Sequence, residues 1–182
     1  MKKVVLLGDS IRLIGYGLKV ADYLGEEYEV WQPEDNCRFA KYTLRMLFDY
    51  AKELEGADVI HWNNGLWDTC DLFGEGRSFS DVEEYVQNMV RIASLLKRYT
   101  DKIIFATTTP ITTNPHNTNE NIAYFNACVV PKLEEMGIAI NDLYATVMSD
   151  LEHNICDDGI HLSEDAIDVC ARQVADKIKE LA

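Results

Sequence analysis

A serine hydroxyl becomes a useful nucleophile only when a neighbouring base takes its proton, and this chain offers four histidines: His61, His116, His153 and His161. Ser10 follows an apolar run, Val4-Val5-Leu6-Leu7, in the tripeptide Gly8-Asp9-Ser10. At the carboxyl end of a strand, glycine permits a sharp turn and the amides beyond it can stabilise a developing oxyanion. His161 ends Asp158-Gly159-Ile160-His161. That spacing lets one turn present both side chains, the carboxylate accepting from Nδ1 so that Nε2 faces a serine. The expected roles are Ser10 as nucleophile, His161 as base and Asp158 as its orienting acid. His61 reads as a hydrogen-bonded histidine inside an apolar strand, and His116 and His153 read as solvated residues of polar loops.

Other chemistries fit less well. His153, Cys156, Asp157, Asp158 and His161 make a loose zinc-like group without paired Cys-x-x-Cys or His-Glu-x-x-His spacing, so no metal site is expected. Gly15-Tyr16-Gly17 is not a dinucleotide fingerprint, and no cofactor is expected. No Gly-x-Ser-x-Gly elbow is present.

Positioning Ser10 and His161 from opposite ends of the chain requires a scaffold. Short β-rich runs alternate with longer helical ones, which implies a parallel sheet covered by helices. Strands are expected at Lys3 to Leu7, Tyr28 to Gln32, Asp58 to Asn63, Lys102 to Ala106 and Ile138 to Ile140. Helices are expected at about Tyr16 to Leu24, Ala40 to Leu54, Ser80 to Tyr99, Asn119 to Glu135, Asp142 to Leu151 and Ser163 to Leu181. Ligands of such sheets bind beyond the carboxyl ends of the strands. The loops to inspect are therefore Gly8 to Gly17, Pro33 to Phe39, Asn63 to Arg77, Thr107 to Thr118 and His153 to His161.

The 182 residues suit one domain, with 47% hydrophobic residues and a net charge of -14. That charge repels nucleic acid and anionic membrane surfaces, leaving a small molecule as the expected partner. The first apolar run is too short for a signal peptide, and no run approaches a membrane span. Five cysteines without close pairing motifs suit reduced thiols and a cytoplasmic location.

Gly8-Asp9-Ser10 near the start, with Asp158-Gly159-Ile160-His161-Leu162-Ser163 near the end, resembles the SGNH/GDSL hydrolases over nearly the whole chain. The resemblance implies a three-layer α/β/α, flavodoxin-like fold with a five-stranded parallel sheet in the order 2-1-3-4-5. It also implies ester hydrolysis through an acyl-serine without a metal. The family's Gly-x-Asn-Asp block aligns with Gly65-Leu66-Trp67-Asp68, which puts Trp67 where the oxyanion-hole asparagine belongs. Asn63 or Asn64 is the expected replacement, alongside the Ser10 N–H. The segment from Pro33 to Phe39 lacks the family's second-block glycine, so an N–H of Cys37 or Arg38 is expected in its place. Arg38 is also a candidate for an anionic substrate group, with a salt bridge to Glu34 or Asp35 as the competing role. Arg12 is weighed as a substrate contact against a surface ion pair. Trp67 is expected to touch substrate, and Trp31, Trp62, Phe73 and Phe79 are divided between cleft and core. The polar Thr107 to Thr118 loop and the lack of a greasy lid segment favour a short-chain or acetyl esterase, carbohydrate esters included. A non-catalytic or weakly active small-molecule or carbohydrate-binding domain on the same fold is the second reading.

Overall fold

The computed structural model describes all residues, 1–182. Five short strands, β1 (Lys2–Leu7), β2 (Tyr28–Trp31), β3 (Val59–Trp62), β4 (Ile103–Ala106) and β5 (Ala139–Asn141), pair in parallel in the order β2-β1-β3-β4-β5. The expected topology and strand count hold, with strand ends moved by a residue or two.

The strands are apolar almost throughout because both faces of the sheet are covered. Side chains alternate between those faces. Val4, Leu6, Val59 and Ile104 point to a cluster of 22 buried residues built with α2 (Val20–Leu24), α8 (Leu143–Met148) and α10 (Glu164–Leu181). Val5, Leu7, Ile60, Trp62 and Phe105 point to a second cluster of 21, built with α3 (Ala40–Asp49), α6 (Val82–Leu96) and α7 (Asn119–Glu135). Near-equal clusters leave neither face of the sheet to water.

The helices differ from expectation at their breaks. Tyr16 to Leu24 is a turn of 3-10 helix, Tyr16–Leu18, followed by α2, and Ala40 to Leu54 divides at Tyr50 into α3 and α4 (Ala51–Leu54). Asp142 to Leu151 divides into α8 and α9 (Leu151–Asn154). Two further one-turn helices, α1 (Ser10–Leu13) and α5 (Leu66–Thr69), start directly beyond β1 and β3. Leu7 lies beside Trp62, Trp62 beside Phe105, and Ala106 beside Asn141. This register ends four strands at one edge of the sheet, so the loops after β1, β3 and β4 emerge together. No helix is long and apolar enough to cross a membrane.

Candidate active site

Gly8 and Asp9 carry the chain from β1 into α1. The Asp9 carboxylate accepts from the Ile11 N–H at 3.0 Å and so caps the helix whose first residue is Ser10. The Ser10 N–H, one of the free donors of a helix start, has no partner within the chain. Asp9 is buried, and desolvation raises its pKa despite hydrogen bonds from Asn63 and Ile11.

The space beside Gly8 is filled. A β-carbon there would lie 2.0 Å from Asn63 Oδ1 and 2.8 Å from Arg12 Cβ. Asn63 is itself fixed, accepting from Tyr16 Oη at 2.7 Å and donating to Asp9 Oδ1 at 2.8 Å. Gly8→Ala is therefore expected to destabilise the protein by about 2 to 3 kcal/mol, the usual scale of overpacking, as a lowered urea midpoint. An unchanged midpoint would show that Asn63 moves aside freely.

At the other end of the chain, a tight turn precedes α10. An isolated bridge pairs Ile155 with Leu162, and the Cys156 N–H donates to the His161 carbonyl at 2.8 Å. Gly159 turns with φ 77°, and a β-carbon on it would meet the Thr113 carbonyl at 2.2 Å. Only glycine fits this junction with the loop after β4. Ser163 then caps α10 by accepting from the Ala166 N–H at 3.3 Å.

Within that turn Asp158 Oδ1 accepts from the N–H groups of Ile160 and His161, both at 2.9 Å, and from the Cys156 thiol at 3.1 Å. Oδ2 lies 2.6 Å from His161 Nδ1, and His161 Nε2 lies 2.8 Å from Ser10 Oγ. A carboxylate accepts, so Nδ1 carries the proton and Nε2 accepts from the serine hydroxyl. Partial burial acts to raise the Asp158 pKa, but the hydrogen bonds from His161, Ile160 and Cys156 outweigh it and hold the carboxyl well below its usual range. The acid thus stays ionised beside the imidazole. Ser10, His161 and Asp158, 151 residues apart at the extremes, are brought into one chain of contacts.

The expected oxyanion donors are placed differently. The Cys37 N–H donates to the Gly8 carbonyl at 3.1 Å, and the Arg38 N–H donates to Asn36 Oδ1 at 2.7 Å. Asn64 is buried, donating to the Arg38 carbonyl and accepting from Thr43. Asn63 and Asn64 each spend an amide N–H inside the protein, joining the loops to the sheet edge. Of the expected donors, only the Ser10 N–H is left unengaged as such.

The reading of Arg12 and the ion-pair reading of Arg38 are corrected. Arg12 is fully buried, and its guanidinium donates to the carbonyls of Gly8, Pro33 and Asp35 and to Gln32 Oε1. It ties β1 to the loop after β2 and is neither a surface ion pair nor a substrate contact. Arg38 pairs with neither Glu34 nor Asp35; its guanidinium stacks on the Tyr42 ring at 4.8 Å.

A pocket of about 270 Å³ opens at Ser10 and His161. Trp67, 39% exposed, lines it, and Leu66, Cys70, Leu72 and Ile160 complete its apolar wall. Asn114 and His116 form its polar end. Trp62 lies in the core against Phe105, and Trp31 packs on Tyr50. Phe73 and Phe79 are exposed, Phe79 against Phe39. His61 is buried with Nε2 at 3.3 Å from the Asn141 amide, and His153 pairs with Asp165, away from the loose zinc-like group. His116 was not legible as a pocket residue, since its place depends on a contact with Asp71, 45 positions away.

The fold recurs among solved structures. A lipase/acylhydrolase from Enterococcus faecalis superposes with a TM-score of 0.78 at 19% identity, covering 99% of this chain and 96% of that one. An acetylxylan esterase from Geobacillus stearothermophilus gives 0.78 at 18%, covering 97% and 94%. A GDSL-like lipase from Bacteroides thetaiotaomicron gives 0.77 at 17%, covering 100% and 89%. No family model matches the chain, and no curated protein matches it in sequence.

Proposed function

We propose that residues 1–182 form one domain of the SGNH/GDSL hydrolase type, a metal-independent serine esterase acting on a small-molecule ester. The observation that carries this reading is the run of contacts from Asp158 through His161 to Ser10, at 2.6 and 2.8 Å, opening on a pocket. Esterase and acylhydrolase activities named for proteins of the same fold support it. Five unpaired thiols suit the reducing cytoplasm as its location.

In this mechanism Ser10 Oγ attacks the ester carbonyl as His161 Nε2 takes its proton. Asp158 stabilises the imidazolium that forms. The Ser10 N–H, free at the start of α1, donates to the oxyanion. His161 then returns the proton to the departing alcohol, and a water activated by the same imidazole releases the acid from Ser10.

A fluorophosphonate probe tests the nucleophile directly, because it forms a stable adduct only with an activated serine. The expected outcome is one adduct per chain, located on Ser10 by peptide mass spectrometry, in a protein that hydrolyses p-nitrophenyl acetate in the presence of EDTA. Labelling elsewhere, or no labelling and no turnover, would favour a binding domain.

A further inference from the structure

The pocket beside Ser10 is apolar along its sides and polar at one end, and that end is built to a pattern. His116 and Asp71 stitch two loops together. The Asp71 N–H donates to the His116 carbonyl at 2.6 Å, and His116 Nδ1 lies 3.1 Å from the Asp71 carbonyl oxygen. A carbonyl oxygen only accepts, so Nδ1 must carry a proton, and in the neutral ring Nε2 is left as an acceptor. Nε2 has no partner within the chain. Asn114 is fixed in the complementary sense: its Oδ1 accepts from the His116 N–H at 2.7 Å, which leaves its amide N–H groups free. One acceptor and one donor therefore stand together at the end of an otherwise apolar pocket.

A hydroxyl group both donates and accepts, so it satisfies this pair at once. A carboxylate offers no proton to Nε2, and a protein of net charge -14 repels it. An ammonium offers nothing to the Asn114 amide. Beyond Asn114 and His116 the surface continues as a cleft lined mostly by polar residues, among them Asp71, Arg77, Ser78 and Asn121. The polar end of a bound group thus has water and polar surface ahead of it. Size narrows the choice further. A cavity of about 150 Å³ holds benzene, so the pocket takes roughly ten non-hydrogen atoms, several times an acetyl group. Trp67 supplies an aromatic face.

Resting on the esterase reading, we infer that this pocket selects an ester carrying a compact apolar body, aromatic in the best case, capped by a hydroxyl that His116 Nε2 and the Asn114 amide read together. His116 is a specificity residue, separate from the groups that make and break bonds.

The test uses matched pairs with and without a para-hydroxyl. One arm holds ethanol as the alcohol and varies the acid: phenylacetate, 3-phenylpropanoate and their 4-hydroxyphenyl counterparts. The other holds acetate as the acid and varies the alcohol: 2-phenylethyl acetate and 2-(4-hydroxyphenyl)ethyl acetate. A pH-stat records kcat/KM. The hydroxylated member of at least one pair should be favoured about tenfold, the scale of one well-placed hydrogen bond, and the arm in which this occurs identifies the half of the ester that enters the pocket. His116→Asn keeps a donor for the Asp71 carbonyl but removes the acceptor corresponding to Nε2. That variant should lose the preference, the kcat/KM ratio within the responding pair falling from about tenfold to about one. Hydrolysis of ethyl acetate with no hydroxyl preference in either arm overturns the inference and leaves the esterase reading standing. A preference unchanged in His116→Asn also overturns it. No hydrolysis of any ester takes both down.

Discussion

Ser10→Ala is expected to lower kcat on p-nitrophenyl acetate by at least about 10⁴-fold, His161→Ala by a similar factor, and the double variant by no more than either alone. The lack of additivity follows from geometry. Nε2 at 2.8 Å from Oγ is useful only if a hydroxyl is there, and the hydroxyl is a weak nucleophile without that base. Asp158→Asn should cost less, about 10² to 10³-fold. An asparagine amide facing Nδ1 favours the tautomer with the proton on Nε2, which can no longer accept from serine. Asp158 is about half exposed, however, so water can partly stabilise the imidazolium in its place. Circular dichroism should be unchanged in Ser10→Ala, whose lost hydroxyl is bonded only to His161. Retention of more than about 1% of wild-type kcat by Ser10→Ala would exclude the serine mechanism, because a triad without its nucleophile does not approach that level.

How far the site was legible in sequence depended on how local its determinants are. The Asp-x-x-His turn is local: Asp158 reaches two N–H groups and an imidazole within three residues, so spacing alone suggested the arrangement. The strands were legible because a sheet buried on both faces demands uninterrupted β-branched and aliphatic runs. The breaks in the helices were not. Tyr50, which separates α3 from α4, is no helix breaker by propensity, and the one-turn helices α1 and α5 are shorter than any periodic window. Donor assignments were harder still. Asn63 and Asn64 are adjacent, yet one turns to Asp9 and Tyr16 and the other to Arg38 and Thr43, a choice made by loops after β1 and β2. Arg12 was misplaced for the same reason: its buried carbonyl partners lie up to 23 residues away.

The second large effect concerns stability, and it arises from two buried groups that titrate in opposite senses. Asp68, on α5, is buried, accepting from Ser80 Oγ at 2.8 Å and from the Ala40 N–H at 3.0 Å. Desolvation pushes its pKa up to about 7, against those hydrogen bonds and with the charges of Asp9 and Glu84. His61 is buried beneath the same sheet edge, and desolvation pushes its pKa down to about 3. Between about pH 4 and 6.5 the folded protein holds a proton on Asp68 that the unfolded chain has released, so Asp68 adds stability as pH falls. Over the same interval the unfolded chain protonates His61 and the folded protein does not, so His61 removes stability as pH falls. Each slope is about 1.4 kcal/mol per pH unit, and in the wild type they oppose one another. Asp68→Asn keeps an acceptor for Ala40 and offers a donor to Ser80, so it imitates the protonated acid while removing its titration. Relative to the variant, the wild type should gain about 3 kcal/mol between pH 7 and pH 4. Urea midpoints across that range measure the difference, in which the contributions of groups without a charge interaction with Asp68, Asp158 among them, cancel. The variant alone should show the full acid lability of His61. Parallel pH profiles for the two proteins would mean that Asp68 is ionised in the fold throughout, with water reaching a carboxylate that the structure places in the interior.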